Sequence, residues 1–337
     1  MVRRRRPRDG RDEVRGDGGR ARRQRRPAAG VLPRERPLLT GPDRSDQARI
    51  GEDGPGRRRC AVLGSPVRHS LSPVLHRAAY AHLGLHWSYD AIQVDEAGLP
   101  ALVAGLDESW RGLSLTMPLK RAGLALADRA SRMAQDVTAA NTLVLEPDGS
   151  RTAHNTDVPG MAAALVERGV RDPADVAVLG GGASAASAVA ALAGLGLVAP
   201  TVYVRSPARA AEVEQVGRRL GAHPVVRPWS EVADALAADL LVSTTPRGAT
   251  DDLARLLAGD PGERAADPAP VLFDVVYDPW PTALAAAWDA SGGAVLGGLD
   301  LLVHQAVLQV RLFTGADVPV DVLRSAGAAA LAARSRT

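Results

Sequence analysis

Lysine is almost missing from this sequence. Of its 41 basic residues 40 are Arg, and Lys120 stands alone. A composition that supplies charge with Arg nearly everywhere leaves Lys for a place where guanidinium fails. An ammonium is compact and can give or take a proton, whereas guanidinium is bulky and effectively never deprotonates. Cysteine is as rare: Cys60 is the only one. That excludes an intramolecular disulfide and a thiolate-rich zinc site, and it suits a reducing cytosol. Long apolar runs are missing too. None reaches the roughly 18 residues of a membrane span, and the alanine-rich stretches at 183–199 and 283–287 are broken by Gly, Pro or charge. Hydrophobic residues still make up 46% of the 337, enough for two domains with real cores.

The net charge of +3 hides an asymmetry. Residues 1–59 hold 19 Arg against 9 acids, a surplus of +10, so the remainder carries −7. The body is mildly acidic, which argues against a nucleic-acid-binding role. The leading segment, with Arg3–Arg6, Arg22, Arg23, Arg25 and Arg26 set among Gly, Pro and Asp, has almost no periodic apolar pattern. Residues 1–58 are therefore expected to be a disordered Arg-rich extension without a function of its own. They lack the apolar core of a secretory signal, and Asp9, Asp12, Glu13 and Asp17 argue against a transit peptide. A cytoplasmic location is expected.

The patterned part begins near Arg59. Residues 60–64 read as a short buried strand ending at Gly64, followed by a Ser/Pro-rich loop to Pro73 and an amphipathic helix over 74–83. Further strands are predicted at 87–94 and 112–116, with a short helix at 97–105. Asn141–Leu145 and Arg151–Asn155 flank Glu146-Pro147-Asp148-Gly149, a hairpin signature. From residue 158 strands and helices alternate: strands at 175–179, 201–204, 239–243 and 271–276, with helices beginning at Pro159, after the glycines at 180–182, and over 207–220 and 251–258. That alternation predicts a parallel, doubly wound sheet. A last helix is expected over 298–314.

Gly180-Gly181-Gly182-Ala183-Ser184-Ala185 sits between a strand and a helix. Gly180 allows the tight turn, Gly182 a close approach of backbone amides to a pyrophosphate, and Ala185 close helix packing. An acid beyond the next strand would hold the ribose hydroxyl of NAD. Here that region offers Arg205, Ser206 and Arg209 and no acid. Guanidinium forks suit a 2′-phosphate, so NADP is the expected cofactor. Hydride transfer to a ketone needs a proton donor beside the developing alkoxide. The candidates are Lys120, Asp157, Tyr277 and the histidines; a Lys120–Asp157 pair would hold the ammonium in place. Asp157 also reads as a helix N-cap, as does Ser72. The histidines show no metal-like spacing, and no metal is expected.

Together these residues resemble the shikimate dehydrogenase family across essentially all of 60–315. Ser70-Leu71-Ser72-Pro73 is similar to the family's Ser-x-Ser-Pro loop, and the resemblance implies that Ser70 and Ser72 bind a substrate carboxylate. Thr116-Met117-Pro118-Leu119-Lys120 is similar to its Thr-x-Pro-x-Lys motif, which makes Lys120 catalytic and Thr116 a substrate contact. Asn141 in Ala140-Asn141-Thr142 and Asp157 in Asn155-Thr156-Asp157 match its substrate-binding Asn and catalytic Asp. Tyr277 falls in Asp274-Val275-Val276-Tyr277-Asp278-Pro279, and Gly298 and Gln305 in Gly298-Leu299-Asp300-Leu301-Leu302-Val303-His304-Gln305, similar to stretches that border substrate and cofactor. The sequence departs where the family often has Asn (Ser114, Val204, Ser243) or a further Gly (Ala183).

The resemblance implies an α/β architecture of two domains. The substrate domain spans 59–157 and is completed by 298–337; the NADP-binding Rossmann domain spans 158–297. It implies reduction of 3-dehydroshikimate to shikimate, with a small molecule as partner and a monomer or homodimer as assembly. Two other readings share most of these motifs: a quinate or quinate/shikimate dehydrogenase, and a catalytically inactive sensor of the same metabolites, which loss of the Lys–Asp pair would favour.

Overall fold

The computed structural model describes residues 57–259 and 268–334. All but the last two residues of the expected Arg-rich extension lie outside that range. Two six-stranded sheets organise the chain.

The first sheet runs in the order β2 (Ser88–Gln93), β1 (Arg59–Gly64), β3 (Trp110–Leu115), β5 (Thr142–Leu145), β6 (Arg151–His154), β4 (Arg129–Ala130). Strand β1 is buried throughout after Arg59, as expected of a central strand covered on both faces. Alternate side chains enter different cores. Ala61, Leu63, Leu113, Leu115 and Leu143 pack under α2 (Leu99–Ala104) and α3 (Lys120–Ala125), while Cys60, Val62, Tyr89 and Val144 face Phe313 on the other side. Helix α1 (Ser72–His82) packs there with α10 (Gly298–Thr314) and α11 (Val320–Arg334) through Leu75, Val303, Val310 and Leu323.

Topology brings chemistry to one edge of this sheet. β1 and β3 are parallel, so the loops that follow them leave on the same side. β5 runs antiparallel to β3, with Thr142 opposite Ser114, so it starts where β3 ends. β6 returns antiparallel, with His154 opposite Thr142. The segments after β1, β3 and β6 and the one before β5 therefore converge.

The second sheet is wholly parallel, in the order β12 (Ala294–Leu296), β11 (Val271–Asp274), β10 (Leu240–Ser243), β7 (Val176–Leu179), β8 (Thr201–Val204), β9 (Val225–Pro228). Numbered from β7, this is the 3-2-1-4-5-6 order of a dinucleotide-binding sheet, with its switch point between β7 and β10. One face packs on α5 (Asp157–Glu167), α6 (Ala183–Gly194) and α7 (Pro207–Arg219) through Val178, Val202, Val242, Met161 and Val189. The other packs on α8 (Asp251–Gly259) and α9 (Ala283–Ala290) through Leu179, Leu241, Leu257 and Trp288. No helix among the described residues is long and apolar enough to cross a membrane.

Several elements absent from the sequence reading are short or exposed. β9 is a mostly exposed edge strand, and β12 has three residues. α3 and α4 (Arg132–Asp136) have six and five, too few for a helical period to register. Two capping expectations are corrected. The cap of α5 is Thr156, and Asp157 is the helix's first residue; the Asn155 side chain accepts the Val158 N–H instead. The cap of α1 is Leu71, and Ser72 begins the helix. Leu71 is helical, so the Ser70–Ser72 loop is not extended. The Ser70 hydroxyl accepts the Ser72 N–H at 3.2 Å, forming a tight turn.

Candidate active site

A cavity of about 330 Å³ opens at the convergent edge of the first sheet. Its lining includes Ser70, Ser72, Thr116, Lys120, Asn141, Asp157, Tyr277, Gly298 and Gln305, together with Ser184 from the glycine-loop helix. The remaining expected cofactor residues, Gly180, Gly181, Gly182, Ala183, Ala185, Arg205, Ser206 and Arg209, lie outside this lining, in the turns and helices that follow β7 and β8 of the second sheet.

Lys120 is the first residue of α3, reached from β3 through the Thr116–Leu119 turn. Asp157 begins α5, where the helix N-terminus favours a carboxylate. The Lys120 ammonium donates to Asp157 Oδ2 at 2.6 Å, and both side chains are largely buried. Freed from capping, the carboxylate has its second oxygen for Asn141, whose Nδ2 donates to Oδ1 at 2.8 Å. The Asn141 amide orientation is fixed, because its Oδ1 accepts the Thr156 backbone N–H at 2.8 Å and a backbone N–H can only donate. Gln305 enters from α10, its Oε1 3.3 Å from both Asn141 Nδ2 and Thr156 Oγ1. Its own Nε2 donates to Leu302 O.

Tyr277 also lines the cavity; burial raises its pKa, against the lowering effect of hydrogen bonds with the Leu71 backbone and the Ser70 side chain, so the phenol stays protonated. The loop that carries it is held by Asp274, a buried carboxylate that accepts from Val276 N–H and the Thr282 hydroxyl. Burial raises the pKa of Asp274, against the lowering effect of those bonds. Arg334, near the end of α11, donates to His69 O and to Asp278, tying the serine loop to the tyrosine loop.

The second sheet offers a nucleotide cradle at its switch point. Gly180 has φ +116°, and a Cβ there would lie 2.5 Å from Thr244 Oγ1, so glycine is required. Gly182 caps the twelve-residue α6 without a side chain, leaving its first amides open to an anion. The Arg209 side chain lies against Gly181 and Gly182, and Arg205 lies over the Trp229 ring at 5.8 Å. Among the described residues neither guanidinium has an acidic partner. These features fit a dinucleotide whose ribose carries a 2′-phosphate. Ser243, one of the departures, is buried 3.2 Å from Thr245 Oγ1.

Sequence reasoning passed over Tyr89 and Gln309 and treated Ser114 only as a departure. Ser114 and Gln309 line the cavity. The available signal for Gln309 was its place four residues after Gln305, on the same face of a helix.

Comparison with known proteins agrees with the geometry. Residues 62–143 match the Shikimate dehydrogenase substrate binding domain, and residues 298–326 the Shikimate 5′-dehydrogenase C-terminal domain. A shikimate dehydrogenase (NADP(+)) of Rubrobacter xylanophilus is 38% identical, over 79% of this chain and 93% of its own. The chain belongs to the shikimate dehydrogenase family. Within the family, the crystal structure of the Mycobacterium tuberculosis shikimate dehydrogenase is similar at a TM-score of 0.70 and 43% identity, covering 81% of this chain and 99% of that one. A Thermus thermophilus family member, solved in complex with NADP(H) and shikimate, is similar at a TM-score of 0.68 and 33% identity, covering 81% of this chain and all of its own.

Proposed function

We propose that this protein is an NADP-dependent shikimate dehydrogenase, interconverting 3-dehydroshikimate and shikimate. The observation that carries the reading is the Lys120–Asp157 pair on the wall of a cavity also lined by hydroxyls and by Gln305 and Gln309. The Thermus thermophilus relative was solved with NADP(H) and shikimate together, and the residues at the switch point fit that cofactor.

Ser70, Ser72 and Tyr277 offer hydroxyls for a carboxylate. Thr116 and Gln305 border the same space and contact the ring. When bound, the nicotinamide supplies the hydride to the ketone carbon or removes it from the alcohol carbon. Lys120 gives a proton from Nζ to the oxygen as it becomes an alkoxide, and takes it back in the oxidative direction. Asp157 accepts from Nζ and keeps the ammonium aimed; Asn141 holds Asp157. The reading includes a cytoplasmic enzyme with a small-molecule substrate, working as a monomer or homodimer. The single thiol, Cys60, is buried and pushed up to about 12 by burial, so the fold draws on no disulfide and exposes no reactive thiolate.

The test is Lys120→Arg. The change keeps the charge and alters shape and proton affinity. Turnover should fall by about 10²-fold or more, the scale of a lost positioned proton donor. Turnover within about threefold of the parent, under 1 kcal/mol of barrier, contradicts the assignment.

A further inference from the structure

A chain of hydrogen bonds runs along the cavity wall to the catalytic pair, and its polarity can be read link by link. Gln309 Nε2 lies 3.1 Å from the Asn141 carbonyl, which can only accept, so the amide nitrogen faces that way. The same nitrogen donates to Thr142 Oγ1 at 2.8 Å. The Gln309 oxygen therefore faces Ser114, whose hydroxyl donates to it at 2.8 Å. With its one proton committed, Ser114 must accept from Tyr89, 2.6 Å away. At the far end, Thr142 Oγ1 donates to Asn141 Oδ1 at 2.9 Å. Tyr89, Ser114, Thr142, Asn141 and Gln309 are all buried, where a polar group without a partner is costly. Each link thus leaves its neighbour one orientation.

We propose that Tyr89, Ser114 and Gln309 form a positioning relay for the reaction, holding the Asn141 amide with its N–H on Asp157 and so fixing the carboxylate against Lys120. This rests on the dehydrogenase reading for its kinetic consequence. Gln309 presents its two donors to the Asn141 carbonyl and to Thr142. Thr142, with its oxygen occupied by Gln309, turns its proton to Asn141 Oδ1. An Asn141 flip would set the amide oxygen against the Asp157 carboxylate and the amide nitrogen, a donor, against the Thr156 N–H donor, and the relay adds a second donor that opposes it. Gln309 touches no reacting atom in this scheme; it acts through Asn141 and Asp157. Ser114, where family members often carry Asn, is the link that joins the Tyr89 hydroxyl to Gln309.

The solitary lysine makes the relay observable. Protein grown with [ε-¹³C]lysine gives one side-chain resonance, that of Lys120, in the ligand-free protein. The parent is expected to show one sharp signal. Gln309→Leu should broaden or split it as Asp157 gains alternative orientations. The same variant should lose about tenfold or more in kcat, the scale of a misplaced reacting group, with the KM for NADP unchanged within about twofold. Leu257→Ala, in the core on the far face of the second sheet, is the control for lost stability alone and should keep the parent resonance and kcat. Tyr89→Phe removes a single hydroxyl and should shift the resonance and kcat in the same direction to a smaller extent; it decides the matter if Gln309→Leu does not fold. Resonances and kcat in both relay variants matching those of Leu257→Ala overturn the proposal. The resonance is read without substrate, so it reports on the relay even if the parent proves to oxidise neither shikimate nor quinate.

Discussion

Buried ionisable residues limit the pH range of a fold, and His76 is the clearest case here. Its ring is fully buried, stacked on Tyr89 at 4.0 Å, with Nδ1 on the Ser72 carbonyl. Burial lowers its pKa to about 4, whereas an unfolded chain protonates it near 6.5. The unfolded state therefore takes up the proton first as pH falls. Stability is full above about pH 6.5 and is lost as pH falls towards 4, by up to about 3 kcal/mol from this one group. Urea unfolding at a series of pH values across that window should show a slope that His76→Gln reduces; equal slopes contradict it. A second residue, Arg205, is proposed to set cofactor choice. Arg205→Asp places a carboxylate where a 2′-phosphate is expected. It should raise the KM for NADP by about tenfold or more, the cost of a charge-assisted bond, while the KM for NAD changes little. Equal changes in both would move the clamp elsewhere. Legibility at this scale was uneven. Lys120 was legible because composition isolates it. Gln309 and Tyr89 were not, because a polar side chain on a buried stripe declares itself only through its partners, which come from three separate strands and a helix.

Helices α5 and α10 cross at Gly160, and that crossing builds the site. A Cβ on Gly160 would lie 2.8 Å from the Gln305 backbone nitrogen. The close approach lets Gln305 reach Asn141 and Thr156 beside Asp157, three residues up the chain from Gly160. Gly160→Ala sets two effects against each other. Ala gains about 1 kcal/mol of helix propensity, but the contact forces α10 away, with an overpacking cost of about 1–3 kcal/mol. The steric effect should win: melting temperature falls, and the KM for shikimate rises because Gln305 is displaced. A variant with a raised melting temperature and unchanged kinetics would show that the crossing is loose. Much of this scale was readable. The strands at 60–64, 201–204 and 239–243 and the glycine turn carried clear patterns, and the hairpin was marked by its turn residues. α11 and α9 were not, since alanine-rich segments give a weak apolar stripe. The capping roles of Ser72 and Asp157 were misread because Asn155, Thr156 and Leu71 offer alternatives that only backbone geometry separates.

The whole molecule sets two sheets so that their chemistry meets. The first sheet gathers the Lys120–Asp157 pair and the serine loop at one edge; the second presents its glycine turn at the switch point. Ser184 from α6 reaches the cavity, and α7 bonds to α3 and α4, Arg121 donating to Glu212 and Arg219 to the Asp136 carbonyl. These bridges are exposed and contribute little stability. The sequence foretold the parallel sheet and its cofactor class from alternation and from the missing acid. It did not foretell the full strand order, because edge strands β9 and β12 are short and unpatterned. The central claim, that this cleft oxidises shikimate with NADP, is tested most directly by following nicotinamide reduction with the purified protein in four combinations: shikimate or quinate, each with NADP or NAD. The account predicts the highest kcat/KM for shikimate with NADP. No reduction with shikimate, or a higher kcat/KM for quinate with NAD, would contradict it.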